Sequence, residues 1–148
     1  MKKILLIITF FSLNVSAVEV SFIGPCSLEP LLKVEHKYDG ASVGLITVET
    51  LEIEKIEFIG SQQGLASAFG TPTGKEAMEI LGPDEIRAYG WCFSLNGFSP
   101  AEYPHRVQSH SNSDKIEWLF GYAHYKDGQW LSQCDPAHLI APDFLCKE

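Results

Sequence analysis

The sequence predicts an α+β domain, a set of short strands with one main helix. Three observations lead there. Residues 89–134 hold all three tryptophans, four of the five tyrosines and two apolar runs, 90–95 and 116–125. Asn96-Gly97 follows the first run and Asp127-Gly128 the second. Both dipeptides tolerate the positive φ angles of tight turns, so both runs read as strands with marked ends. Residues 43–52 place Leu45, Val48 and Leu51 at a spacing of three, the pattern of a helix with one apolar face. Finally, the four cysteines all lie beyond an export-type leader, and an even count in an oxidising compartment predicts two disulfides.

The leader comes first in the chain. Lys2 and Lys3 are followed by an apolar core over 4–11 and by small residues at Val15-Ser16-Ala17, the three-part grammar of a secretory signal peptide over 1–17. A membrane anchor needs about 20 apolar residues, and this run is far shorter. A lipid anchor would need a small-residue box directly before a cysteine, whereas Cys26 follows Ile23-Gly24-Pro25. The expectation is a secreted or periplasmic protein, with no membrane insertion after cleavage and one domain over 18–148. Removing 17 of the 148 residues leaves 131, which suits a single core. Loss of Lys2 and Lys3 lowers the 11 basic residues to 9 against 19 acidic ones, a formal charge of −10. Such a chain repels phosphate backbones, so nucleic acid is excluded as a partner.

Four cysteines allow three connectivities. The pairing expected is Cys92–Cys134, clamping the aromatic region, with Cys26–Cys146 tying the two ends together. A metal site is the weaker reading, since no C-x-x-C pair exists and the spacings match no zinc pattern.

Residues 18–23 alternate Val18, Val20 and Phe22 with polar neighbours, a half-buried first strand stopped by Gly24-Pro25. A weaker alternation over 31–38 ends at Asp39-Gly40, with His36 as an ordinary strand residue. Residues 43–52 are ambiguous: Ile46-Thr47-Val48 is β-branched, but Ser42 can cap a helix, and a strand here would make a third extended run with no turn before Glu54. The helix is favoured. Strands follow at 56–59 and within 64–72. Thr73-Gly74-Lys75-Glu76 has the form of a capping box, which predicts a short helix ending at Gly82-Pro83. In the aromatic region Trp91, Phe93 and Leu95 face a core while Cys92 and Ser94 lie opposite. The 116–125 run is apolar on both faces, so it belongs in the sheet centre. The Asp127-Gly128 turn makes a C-terminal β-hairpin, with Tyr125 opposite Trp130 and His124 opposite Leu131. The tail from Asp135, with Leu139, Phe144 and Leu145 as anchors, packs across the surface and is pinned by Cys146.

The segments Gly90-Trp91-Cys92-Phe93-Ser94-Leu95-Asn96-Gly97 and Lys115-Ile116-Glu117-Trp118-Leu119-Phe120 give the chain a likeness. Over about 18–125 it resembles the domain-of-unknown-function 4430 family, itself similar to the C-terminal domain of transcobalamin and intrinsic factor. The resemblance implies a β-grasp-like mixed sheet gripping one helix, and so supports the helix at 43–52. It carries no catalytic motif. In the transcobalamins this domain closes over a corrinoid with a large helical domain, for which 131 residues leave no room, so no cofactor is expected.

No serine sits in a G-x-S-x-G turn, and the glycines match no phosphate-cradling pattern. His105, His110, His124 and His138 are spaced 5, 14 and 14 apart, unlike paired metal ligands. With no catalytic or metal residues assigned, the expectation is a non-enzymatic binding module for a small ligand or a protein partner. Its candidate ligand-binding residues are the rigid aromatics Trp91, Trp118, Tyr122, Tyr125 and Trp130, which would serve equally as the core of a small sheet. The rivals are a metal-dependent or other hydrolase, built on histidines of loop 104–113 with Glu117, and a structural component of the cell envelope.

Overall fold

The computed structural model describes residues 17–146, so the expected leader, apart from Ala17, lies outside the described residues. The architecture is α+β, mostly strands with one α-helix among the described residues and a mixed sheet. Strand β1 (Ala17–Ile23) pairs antiparallel with β2 (Pro30–Lys37), Val20 facing Val34. Helix α1 (Val43–Ile53) follows, then a separate two-stranded sheet of β3 (Phe58–Ser61) and β4 (Gly64–Ala68). Strands β5 (Met78–Gly82), β6 (Glu85–Leu95), β7 (Lys115–Lys126) and β8 (Gln129–Pro136) complete the main sheet in the order β2-β1-β7-β6-β5. Strand β7 is central, as its two apolar faces predict. One edge pairs with β6 throughout. The other pairs in parallel with β1 over Lys115 to Leu119 and then antiparallel with β8 from Gly121 onward.

The core forms where the inward rows of β1, β6 and β7 meet α1. Val18, Val20, Phe22, Ile116 and Phe120 are fully buried with Val43, Ile46 and Leu51 of the helix. The helix starts because the Ser42 hydroxyl accepts the Leu45 N–H at 3.2 Å, satisfying an otherwise orphaned donor. On β2, His36 has partners that the sequence did not suggest: its Nε2 lies 3.2 Å from Glu49 and its Nδ1 3.4 Å from the Thr50 hydroxyl, tying β2 to α1. Two disulfides are present, Cys26–Cys146 and Cys92–Cys134, the expected pairs. They suit an oxidising environment.

Several expectations need correction. Residues 74–77 form only a 3₁₀ turn, the Thr73 side chain makes no capping bond, and Met78 to Gly82 is strand β5 in place of a helix. The nonlocal ladder to β6, with Met78 opposite Ala88 and Ile80 opposite Ile86, overrides the local capping signal. The third strand lies at Phe58–Ser61, two residues later than expected, and β6 begins at Glu85. Tyr125 does face Trp130, but His124 faces Ser132 and not Leu131, because β8 carries an extra residue there. Leu139 is exposed and anchors nothing, whereas Leu145 packs on the core and the Phe144 ring meets Tyr89 edge-on at 5.3 Å.

Candidate functional site: a trough beside Trp130

Along β6 and β7 the residues that alternate with the core row point to the opposite face of the sheet. The register arranges them in cross-strand rows. Ile80, Ile86, Tyr125 and Trp130 form one row across β5, β6, β7 and β8. On β6 and β7 the next two rows are Ala88 with Ala123, which Met78 of β5 extends, and Gly90 with Gly121, and the fourth is Cys92 with Leu119. Bulky rows therefore flank two small ones, and between them lies a trough of about 300 Å³, bounded on the β8 side by Trp130, Gln133 and Cys134. Trp130 is 53% exposed, and its indole packs edge-on against Tyr125, with ring centres 5.2 Å apart.

The trough owes its closed end to β8. This strand shifts register twice against β7, Cys134 sits at φ +59°, and the disulfide reaches past β7 to Cys92 on β6. That crossing passes directly over Gly121, where a Cβ would stand 2.9 Å from the Asp135 carbonyl oxygen and 3.2 Å from the Cys134 carbonyl carbon. Gly121 is thus a close-approach glycine.

The five expected aromatics separate. Trp91 and Trp118 are core residues, and their indole N–H groups donate to the hydroxyls of Thr71 at 2.9 Å and Thr47 at 2.8 Å. Trp130 lines the trough, and Tyr125 packs against it from outside the lining, while Trp91 and Tyr122 also border the trough. Tyr122 packs against Tyr89 and carries the Arg87 guanidinium over its ring at 5.3 Å. The same corner holds Glu79, which accepts from the Tyr89 hydroxyl at 2.7 Å and from Arg87 at 3.3 Å. Burial first, then the Glu79 carboxylate, pushes the Tyr89 pKa well above that of a free phenol.

No family model and no curated protein matches the chain.

The histidines are dispersed. His124 pairs with Glu85 at 2.8 Å, and Lys126 bonds the other carboxylate oxygen at 3.1 Å; Lys126 and then His124 hold Glu85 below the usual carboxylate range. His105 stacks on Tyr103, and His110 uses its backbone N–H to bond Asp114. Among the described residues no three His, Cys, Asp or Glu side chains converge as a metal cage would need. Asp114 is a loop organiser. Its carboxylate accepts from Asn96, Ser109 and the backbone N–H groups of His110 and Ser111. Burial pushes its pKa up, but these four donors outweigh burial and leave it lowered.

Sequence reasoning missed Gly90, Gly121, Ala88, Ala123 and Gln133, which shape the trough. A signal was available, since glycines inside strands mark bulges or close approach, and Gly90 and Gly121 stand directly opposite one another.

Proposed function

We propose that this chain is an exported, non-enzymatic binding domain that holds a small ligand in the trough beside Trp130. The single observation that carries the reading is the cavity of about 300 Å³ walled by a half-exposed indole and a disulfide, at the lower end of the size range of small-molecule sites. Fold and likeness add support. A β1–β2 pair, a following helix, and a long strand, β7, running parallel beside β1 support reading the sheet as β-grasp-like. The segments that carry the resemblance to the domain-of-unknown-function 4430 family, and through it to the transcobalamin C-terminal domain, form the adjacent strands β6 and β7. A leader over 1–17 and two disulfides fit a secreted or periplasmic location.

Native mass spectrometry of protein taken from its own compartment tests this. The expected result is a small bound mass in the wild type that is absent in Trp130→Ala. Stoichiometric zinc that disappears on His105→Ala or His110→Ala would instead favour a metal-dependent hydrolase. A chain with no bound mass would favour a structural envelope component.

A further inference from the structure

We infer that the trough takes an uncharged, flat aromatic ring of one or two fused cycles, seated over Gly90 with the Trp130 indole as its wall; this rests on the trough being the ligand site. Four observations converge on that class. Gly90 lies inside a strand, where glycine costs about 0.5–1 kcal/mol relative to alanine. Gly121 is explained by the chain crossing above it, but Gly90 is not: no atom lies within 4 Å of the position a Cβ would take. The room above Gly90 is left by the chain and not used by it.

Charge narrows the class. The whole sequence has 19 acidic and 11 basic residues, yet no charged side chain lines the trough. An ionised ligand would lose hydration there with nothing to replace it. Polarity narrows it again, because the lining residues bring one carboxamide, Gln133, and two phenols, of which the Tyr89 hydroxyl is already bonded to Glu79. So small a polar set cannot satisfy the many hydroxyls of a sugar but does match a single polar edge on a ring. Shape completes the argument. Ala88, Gly90 and Ala123 make a floor of small side chains that a ring can lie against, and an exposed indole prefers to meet another ring offset or edge-on.

The test is a ¹H–¹⁵N titration of the oxidised full-length mature protein with indole, methyl glucoside and benzoate as probes. Indole at about millimolar concentration, the affinity expected of so small a ring, should shift the amides of Gly90 and Ala123 and the Trp130 indole N–H. Methyl glucoside and benzoate should leave them in place. Gly90→Leu, which fills the empty space, should weaken indole by about tenfold or more while the far-ultraviolet spectrum stays unchanged. Should that variant misfold, Trp130→Ala provides the same readout. If glucoside or benzoate shifts these signals and indole does not, the aromatic class is overturned while the trough stands as a ligand site. If no probe shifts them, both readings fail. Indole binding with undiminished affinity in the folded variants would also overturn the inference.

Discussion

At the residue scale the two core indoles find their hydrogen-bond partners far away in sequence, Trp91 on Thr71 and Trp118 on Thr47. The Thr47 hydroxyl donates to the Val43 carbonyl at 2.7 Å and accepts from Trp118 at 2.8 Å, so one side chain closes the helix onto the sheet. Replacing Trp118 by Phe removes a donor and leaves a void. It should cost about 2–3 kcal/mol in urea unfolding, whereas Trp130→Phe on the exposed trough wall should change stability by less than about 0.5 kcal/mol. Asp114 gives a second prediction. Its pKa is lowered in the folded state, so its contribution is present above the ordinary aspartate value of about 3.9 and is lost as pH falls through the lowered folded value. Asp114→Asn should therefore lower the urea midpoint at pH 7, and the gap from wild type should narrow as pH is taken below about 3.9. The inward alternation of Trp91, Phe93 and Trp118 was legible in the sequence because it is local. Nothing local says that Thr47 and Thr71 would receive the two indole N–H groups, and so alternation alone does not say which tryptophans have their polar edge satisfied inside.

At the element scale β8 and the two strands beneath it show what local patterning cannot supply. The turn glycines and the first facing pair, Tyr125 with Trp130, follow from sequence because a tight turn fixes the nearest register. Beyond that pair the strand bulges, on the stretch where the disulfide from Cys134 spans β7 to reach Cys92. Strand β5 departs from its local helix signal for a related reason. Its five residues gain strand structure only from β6, while Thr73 and Glu76 carry a strong local helix signal that stays unused. The two facing glycines separate these effects experimentally. Gly121→Ala forces a Cβ against backbone atoms of Asp135 and Cys134 and should lower stability by about 1–3 kcal/mol. Gly90→Ala meets open space and should be neutral or stabilising by about 0.5 kcal/mol. Thermal melts of the two variants, made side by side, decide the point; equal losses would mean that β8 does not cross as described.

At the scale of the whole molecule the chain is closed twice, and the two closures act differently. Cys26 and Cys146 are 120 residues apart, so their bond ties the loop after β1 to the C-terminal tail. Cys92 and Cys134 are 42 apart and fasten β8 onto β6. Chain entropy alone gives the longer closure about 5 kcal/mol and the shorter about 4 kcal/mol, close enough that global stability barely ranks them. Location does rank them. The shorter closure holds β8 off its regular ladder, with Cys134 in the left-handed region at φ +59°, a conformation that non-glycine residues seldom keep without external restraint. Cys92→Ser with Cys134→Ser should therefore free that crossing. Amide exchange should rise first at residues 130–135, with the core amides of Val20, Ile116 and Phe120 still protected. Cys26→Ser with Cys146→Ser leaves every strand of the main sheet paired and acts through the unfolded chain. Exchange should then rise together across the core, as expected for a loss of global stability with no local opening. Hydrogen-exchange profiles of the two double variants at matched temperature check this. Identical profiles would show that β8 keeps its crossing without the bond, and that packing over Gly121, and not the staple, shapes the trough.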